Sequence, residues 1–178
     1  MGNTLGISIY EPAPLPSNEA ERIRAVETTG VLDFLADPVL DNIAWHARRA
    51  AGTRMAAITV VHRDWQYVIA AAGLLTGPYA RRTSFCGHAI LGTRPVFSVR
   101  NAEVDSRFAG NPSVEDGFLG FYAGALIFGT NKELPLGTLC VFDPQPRREL
   151  TNTLTVTLLA LAAEATARLQ FLISHQAP

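Results

Sequence analysis

A chain of 178 residues, 48% hydrophobic and 17% charged, is long enough to fold as one domain burying about two-thirds of its unfolded surface, so it needs neither disulfides nor a structural metal. Fifteen basic residues against sixteen acidic ones leave a net charge of −1, and no run of Lys or Arg makes the stripe that a phosphate backbone requires, so nucleic acid is excluded as an expected partner. Two cysteines, Cys86 and Cys140, are too few for a secreted disulfide framework, and with no basic leader and no apolar run near the roughly 18 residues that span a bilayer, the chain reads as cytoplasmic, with no membrane partner.

Residues 1–16, with Pro12, Pro14 and Pro16, are expected to form an extended arm outside the core, and a single domain to run from 17 to 174. Asn18 followed by Glu21 has the spacing of a capping box; Ile23 and Val26 give the helix that follows an apolar face, and Gly30 ends it. A second helix is capped by Asp37, carries Pro38 in its first turn, buries Leu40, Ile43 and Ala47, exposes Asp41, Arg48 and Arg49, and leaves through Gly52.

The periodicity then changes from helix to strand. Segments 55–62 (MAAITVVH) and 66–73 (QYVIAAAG) flank the short RDW, which predicts an antiparallel hairpin, and 95–99 (PVFSV) is a third strand. Segments 121–130 and 135–143 form a second hairpin around the polar NKEL; apolar at nearly every position, they read as central strands covered on both faces. Near the C-terminus, Leu154, Leu158, Leu161, Ala165, Leu169 and Leu172 recur at steps of three and four, which predicts a long helix, while Leu159, Ala162, Thr166 and Ile173 form a second, rotated stripe. One stripe covers the sheet. The other is expected to meet a symmetry mate, giving a homodimer through the terminal helices. The order of elements is that of an α+β fold, an antiparallel sheet with helices gathered against it.

Residues 74–120 make a connection so long and irregular that in a domain of this size it reads as a lid or a binding wall. Four blocks, SFCGHAI (84–90), DSRFAGNP (105–112), FYAGA (121–125) and LGTLCVFD followed by PR (136–143 and 146–147), stand in an order and spacing that resemble the GAF domain, in the form common in bacterial sensory and signalling proteins. The resemblance runs from about residue 17 to 172 and includes VLD (31–33). It implies an antiparallel sheet of five or six strands, terminal helices on one face that often dimerise, and loops and short helices forming a small-molecule pocket on the other. It also implies a stand-alone regulatory module that signals through a dimer or a separate partner protein. It leaves the ligand and any cofactor unknown, because relatives bind cyclic nucleotides, bilins, haem or small acids. VEDGFLG (114–120), with Glu115 and Asp116, departs from the Pro-rich turn and basic residue that relatives often carry there.

If Ser84 caps a helical turn, Cys86 and His88 stand about 200° apart around its axis and cannot share a proton, whereas Phe85 and His88 share a face. SFCGHAI then reads as the wall of a pocket, and no catalytic or metal-ligating residue is assigned. The expected border of a mostly apolar cavity, suited to a compact ligand with one or two polar groups, is Phe85, Cys86, His88, Asp105, Arg107, Phe121 and Tyr122. DSRF also reads as an Asp-capped turn that anchors Phe108 in the core. Arg81, Arg82 and a helix N-terminus would lower the thiol of Cys86, so the alternative function is a thiol-based redox enzyme or redox sensor; against it, no second cysteine lies near Cys86 in sequence.

Overall fold

A computed structural model describes residues 9–34 and 36–176. Its strands are β1 (Met55–His62), β2 (Trp65–Ala72), β3 (Gly77–Ala80), β4 (Val96–Val99), β5 (Phe121–Phe128) and β6 (Pro135–Asp143). They form one antiparallel sheet in the order β3-β2-β1-β6-β5-β4, so the two hairpins meet along β1 and β6 at its centre. The helices are α1 (Glu19–Thr29), α2 (Pro38–Ala51), α3 (Phe85–Ala89), α4 (Pro112–Glu115) and α5 (Asn152–Ser174). The α+β architecture and six-stranded sheet agree with the sequence reading.

The hairpins lie where the alternating and apolar runs placed them. β6 is buried at every position, as a central strand covered on both faces must be. Strand β3 was not foreseen: GPYA reads as a turn, but at an edge Gly and Pro are tolerated, and Tyr79 and Pro78 pair with Gln66 and Tyr67 of β2.

Helices α2 and α5 lie on one face. Asp37 caps α2 by accepting hydrogen bonds from Val39 and Leu40 amides at 3.1 and 3.0 Å, and it also takes the Arg168 guanidinium of α5 at 2.7 Å. In α5 the first stripe is buried, with Leu158, Ala165 and Leu169 fully covered. The second is covered in part by its own chain: Ala162 is buried, and the Thr166 hydroxyl accepts the Phe128 amide at 3.1 Å, so of that stripe Leu159 is left exposed, one turn from exposed Val156, while exposed Phe171 lies about 18 Å further along the helix. By length and mean hydropathy α5 could cross a membrane, although Glu164 and Arg168 interrupt its apolar run; in the fold it packs across the sheet.

Two N-terminal expectations are corrected. Asn18 makes no side-chain cap, because its backbone is not in the extended conformation a cap requires, and Glu19 turns inward instead of Glu21 reaching back. Arg22, not Ile23, fills the buried face of α1: with no exposed surface, it donates to the Val61 carbonyl at 2.6 Å and pairs with Glu19 at 2.8 Å. Arg81, from the opposite side of the sheet, completes the cluster on Glu19. Burial pushes the Glu19 carboxyl up, but hydrogen bonds from Arg22 and Arg81 outweigh it and bring it to about 2. The expected free arm is likewise only partly so. Residues 1–8 lie outside the described residues, but Glu11 and Ala13 donate their amides to the Arg107 and Arg82 carbonyls at 2.8 and 3.2 Å, which straps the arm over α3 and the 105–110 loop.

Candidate functional site

Successive residues of a strand face opposite ways, and the two faces of this sheet are covered differently. On the helix side lie Ile58, Phe121, Leu139 and Val141, against α2 and α5. On the other side Ala57, Val61, Tyr122, Cys140 and Phe142 meet α3, α4 and the loops between them. Gly124 sits two residues after Tyr122 on the same face of β5. A Cβ there would collide with the Tyr122 hydroxyl, so the glycine lets that ring lie along the strand.

Helix α3 stands over this floor. Ser84 caps it, its hydroxyl oxygen accepting the Gly87 amide at 3.0 Å while also bonding the Gln66 side chain. The cap turns Cys86 down to the sheet, where its Sγ lies 3.8 Å from Sγ of Cys140 and accepts a hydrogen bond from the Tyr122 hydroxyl at 3.2 Å. Thr59 and Thr138, paired across β1 and β6 with hydroxyls 3.1 Å apart, extend the polar strip; the Tyr122 hydroxyl is 3.4 Å from that of Thr138. Phe85 stacks on Phe108 at 4.0 Å between ring centres and closes one side.

Between sheet and cap remains a cavity of about 90 Å³. Its walls are mostly apolar, from Ala57, Val68, Leu74, Phe85, Phe118, Leu119 and Phe142; its polar groups include Thr59, Gln66, Ser84, Cys86, Tyr122 and Cys140, with Tyr79, Thr83 and Ser113 also on its border. That is the composition of a small-molecule site, an apolar body with a few convergent polar groups. Burial and the neighbouring sulfurs push the Tyr122 hydroxyl well up, so it remains a donor. Burial also opposes ionisation of Cys86, but hydrogen bonds from Cys140, Thr138, Thr59 and Tyr122 bring its thiol below the ordinary range; bonded to Cys86, the Cys140 thiol is pushed well up.

Of the seven residues expected around the cavity, the structure brings together three: Phe85, Cys86 and Tyr122. Phe121 is on the helix face, as strand alternation next to Tyr122 requires. His88 points to the outer side of α3. It is buried under the arm, its Nε2 donating to the Glu11 carbonyl at 3.1 Å, and its edge packs on Phe108 at 4.7 Å. Desolvation is the main reason that His88 titrates below its ordinary value. Asp105 and Arg107 pair with one another at 2.7 Å in the turn that anchors Phe108, and they border a separate cleft of about 760 Å³ with Arg94, Arg100 and Arg147. Among the described residues no cluster of three or more His, Cys, Asp or Glu is placed to hold a metal ion.

Cys140, Thr59 and Gln66 were missed by the sequence reading. The signal for Cys140 was present: the hairpin register pairs Tyr122 with Phe142, and Cys140, two residues before Phe142, must share its face.

No family model matches the chain. A cyclic di-GMP phosphodiesterase of Pseudomonas aeruginosa is 37% identical over 162 residues; the match takes in 90% of this chain but only 27% of that protein, so the chain spans about a quarter of the relative's length. Among solved structures, the GAF domain of an Acinetobacter phosphoenolpyruvate-protein phosphotransferase superposes with a TM-score of 0.63 at 15% identity, over 92% of this chain and 99% of that one. The chromophore-binding domain of a bacteriophytochrome from R. palustris gives 0.60 at 17% identity, over 92% of this chain and 65% of that one. At these identities the structural likeness is one of fold.

Proposed function

We propose, from the GAF-type fold that the chain has, that it is a sensory module whose cavity under α3 takes a compact, largely apolar small molecule and whose terminal helices pass on the occupied state. The observation that carries this reading is the cavity itself: a recess between one face of the sheet and α3, open toward Phe118, with a mostly apolar wall on which Gln66, Ser84, Thr59 and Tyr122 converge. Its volume is below the roughly 300 Å³ typical of sites for drug-sized molecules, so the ligand is one of few heavy atoms with one or two polar groups. The Tyr122 proton is taken by Cys86, so the group that suits a ligand's carbonyl or hydroxyl oxygen is the Gln66 side-chain NH2, its oxygen being held by the Ser84 hydroxyl.

Transmission falls to α5. Its exposed Leu159, Val156 and Phe171 suit a second copy of the chain or a separate signalling protein. The partial match to a cyclic di-GMP phosphodiesterase supports turnover of that nucleotide as the process the module regulates.

Native mass spectrometry of the purified protein, followed by a thermal-shift screen of small metabolites, tests the reading. A bound or stabilising molecule is expected in the wild type. Ala57→Leu, which fills the cavity from β1, should abolish the shift while leaving the fold intact. Equal shifts in wild type and variant would place the ligand elsewhere. Leu159→Glu should shift sedimentation from dimer to monomer; a wild type that is already monomeric at tens of micromolar, about the range where weak dimers dissociate, would refute the homodimer.

A further inference from the structure

We infer that Cys86 and Cys140 form an oxidisable dithiol that a small hydroperoxide entering the cavity converts to an intrachain disulfide, closing the pocket. The two residues are 54 apart in sequence and are the chain's two cysteines, yet the fold brings their sulfurs to 3.8 Å. A bond needs that distance to close to about 2 Å, with Cβ atoms about 4 Å apart. The required motion is within reach of α3, a five-residue helix held over the sheet by the Ser84 cap, whereas β6 is fixed between β1 and β5.

The surroundings divide the roles. Cys86 Sγ accepts the Tyr122 hydroxyl at 3.2 Å, which favours its thiolate, and the thiolate is the nucleophile. Cys140 keeps its proton beside it. Both sulfurs line the cavity, whose volume of about 90 Å³ holds an oxidant the size of hydrogen peroxide, given that a water occupies about 30 Å³ of liquid, and leaves no room for glutathione disulfide.

The Cys86 thiolate attacks one oxygen of the peroxide. An S–O bond forms, the O–O bond breaks, and the departing hydroxide takes up the proton that the thiol released, giving water and a Cys86 sulfenic acid. The Cys140 sulfur then attacks the Cys86 sulfur; the S–S bond forms, the S–O bond breaks, and the hydroxyl leaves with the Cys140 proton as a second water. The peroxide is reduced by two electrons, one from each sulfur. The disulfide ties α3 to β6 and turns the sulfur that accepts the Tyr122 hydroxyl from a thiolate into a neutral, weaker acceptor, so the oxidised pocket differs in volume and in polarity from the reduced one.

The chemistry does not depend on the ligand of the proposed sensory function, and its test needs none. Reduced full-length protein is treated with a modest excess of hydrogen peroxide, trapped with iodoacetamide under denaturing conditions, and weighed intact and as peptides. The expected product has lost two hydrogens, takes up no alkyl groups, carries a Cys86–Cys140 cross-link within one chain, and reverts with reductant. Cys140→Ser should instead retain one added oxygen at Cys86, and Cys86→Ser should leave Cys140 alkylatable; Cys140→Ala replaces Cys140→Ser if the serine variant does not fold. Two alkylatable thiols after a treatment that fully oxidises free glutathione would overturn the inference, as would cross-links only between chains or oxygen addition to the wild type without a cross-link.

Discussion

The two faces of the sheet are made from the same strands and packed in different ways. On one, α2 and α5, of 14 and 23 residues, lay continuous stripes over Ile58, Leu139 and Phe121, and the layer is apolar and well filled. On the other, two helices of five and four residues and the loops between them cover Tyr122, Cys140, Thr59 and Thr138, and a cavity remains. A long helix presents a residue to the sheet at every turn, whereas a loop must also satisfy its own backbone and leaves gaps. The polar atoms of the strands sit where those gaps are, so the looser face holds the chemistry and the tighter one the stability.

The Glu19 cluster joins the two faces, and breaking it should have the largest effect. Glu19→Ala leaves the buried Arg22 and Arg81 without their counter-charge and should cost about 3–5 kcal/mol in urea unfolding. The folded carboxyl titrates at about 2 against 4.5 for the free group, so its contribution is complete above pH 4.5 and is lost as pH falls toward 2; the wild type should show this slope and Glu19→Gln should not. Leu158→Ala, on the well-filled face, should cost about 2–5 kcal/mol by the same measurement, while Phe118→Ala, half exposed on the rim of the cavity and packed on Phe142, should cost about 1 kcal/mol. Equal costs would show that the faces are packed alike.

Gly124→Ala should cost about 1–3 kcal/mol, and it should displace the Tyr122 hydroxyl from Cys86, measurable as slower alkylation of that thiol in the native protein. An unchanged rate would mean that the hydroxyl does not tune the sulfur. The smallest effect concerns the arm. His88 titrates below 6.5, first because it is buried, with the Glu11 carbonyl and Asp105 opposing the shift and Arg107 adding to it. Folding thus favours the neutral ring: this contribution is present above pH 6.5 and is lost as pH falls through the window below it. The protection of the Glu11 and Ala13 amides, measured as exchange relative to the intrinsic rate at each pH, should fall over that window while β1 and β6 stay protected. Uniform exchange across all of them would refute the local strap.

The sequence was most legible where a pattern repeats along one element. Asp37, Pro38 and Gly52 mark the ends of α2 through backbone rules that act within a few residues, and the runs that became β1 and β6 carry their burial in composition alone. The Ser84 cap and the opposed directions of Cys86 and His88 followed from local helix geometry. Legibility stopped at Asn18, where capping-box spacing was present but the partners of Glu19 were Arg22, one turn on in the same helix, and Arg81, 62 residues away.

By itself, then, the sequence determined the three long helices and five of the six strands in their order, the α+β class, the central hairpins and the capped turn that holds Cys86, because each rests on interactions between near neighbours in the chain. Tertiary structure alone decided which of the expected site residues meet. It sent His88 under the arm, withdrew Asp105 and Arg107 to another cleft, and placed Cys140 against Cys86. Such contacts depend on strand register and on how α3 settles over the sheet. Both are fixed by the sum of many weak packing terms across the whole domain, and no short stretch of residues carries them.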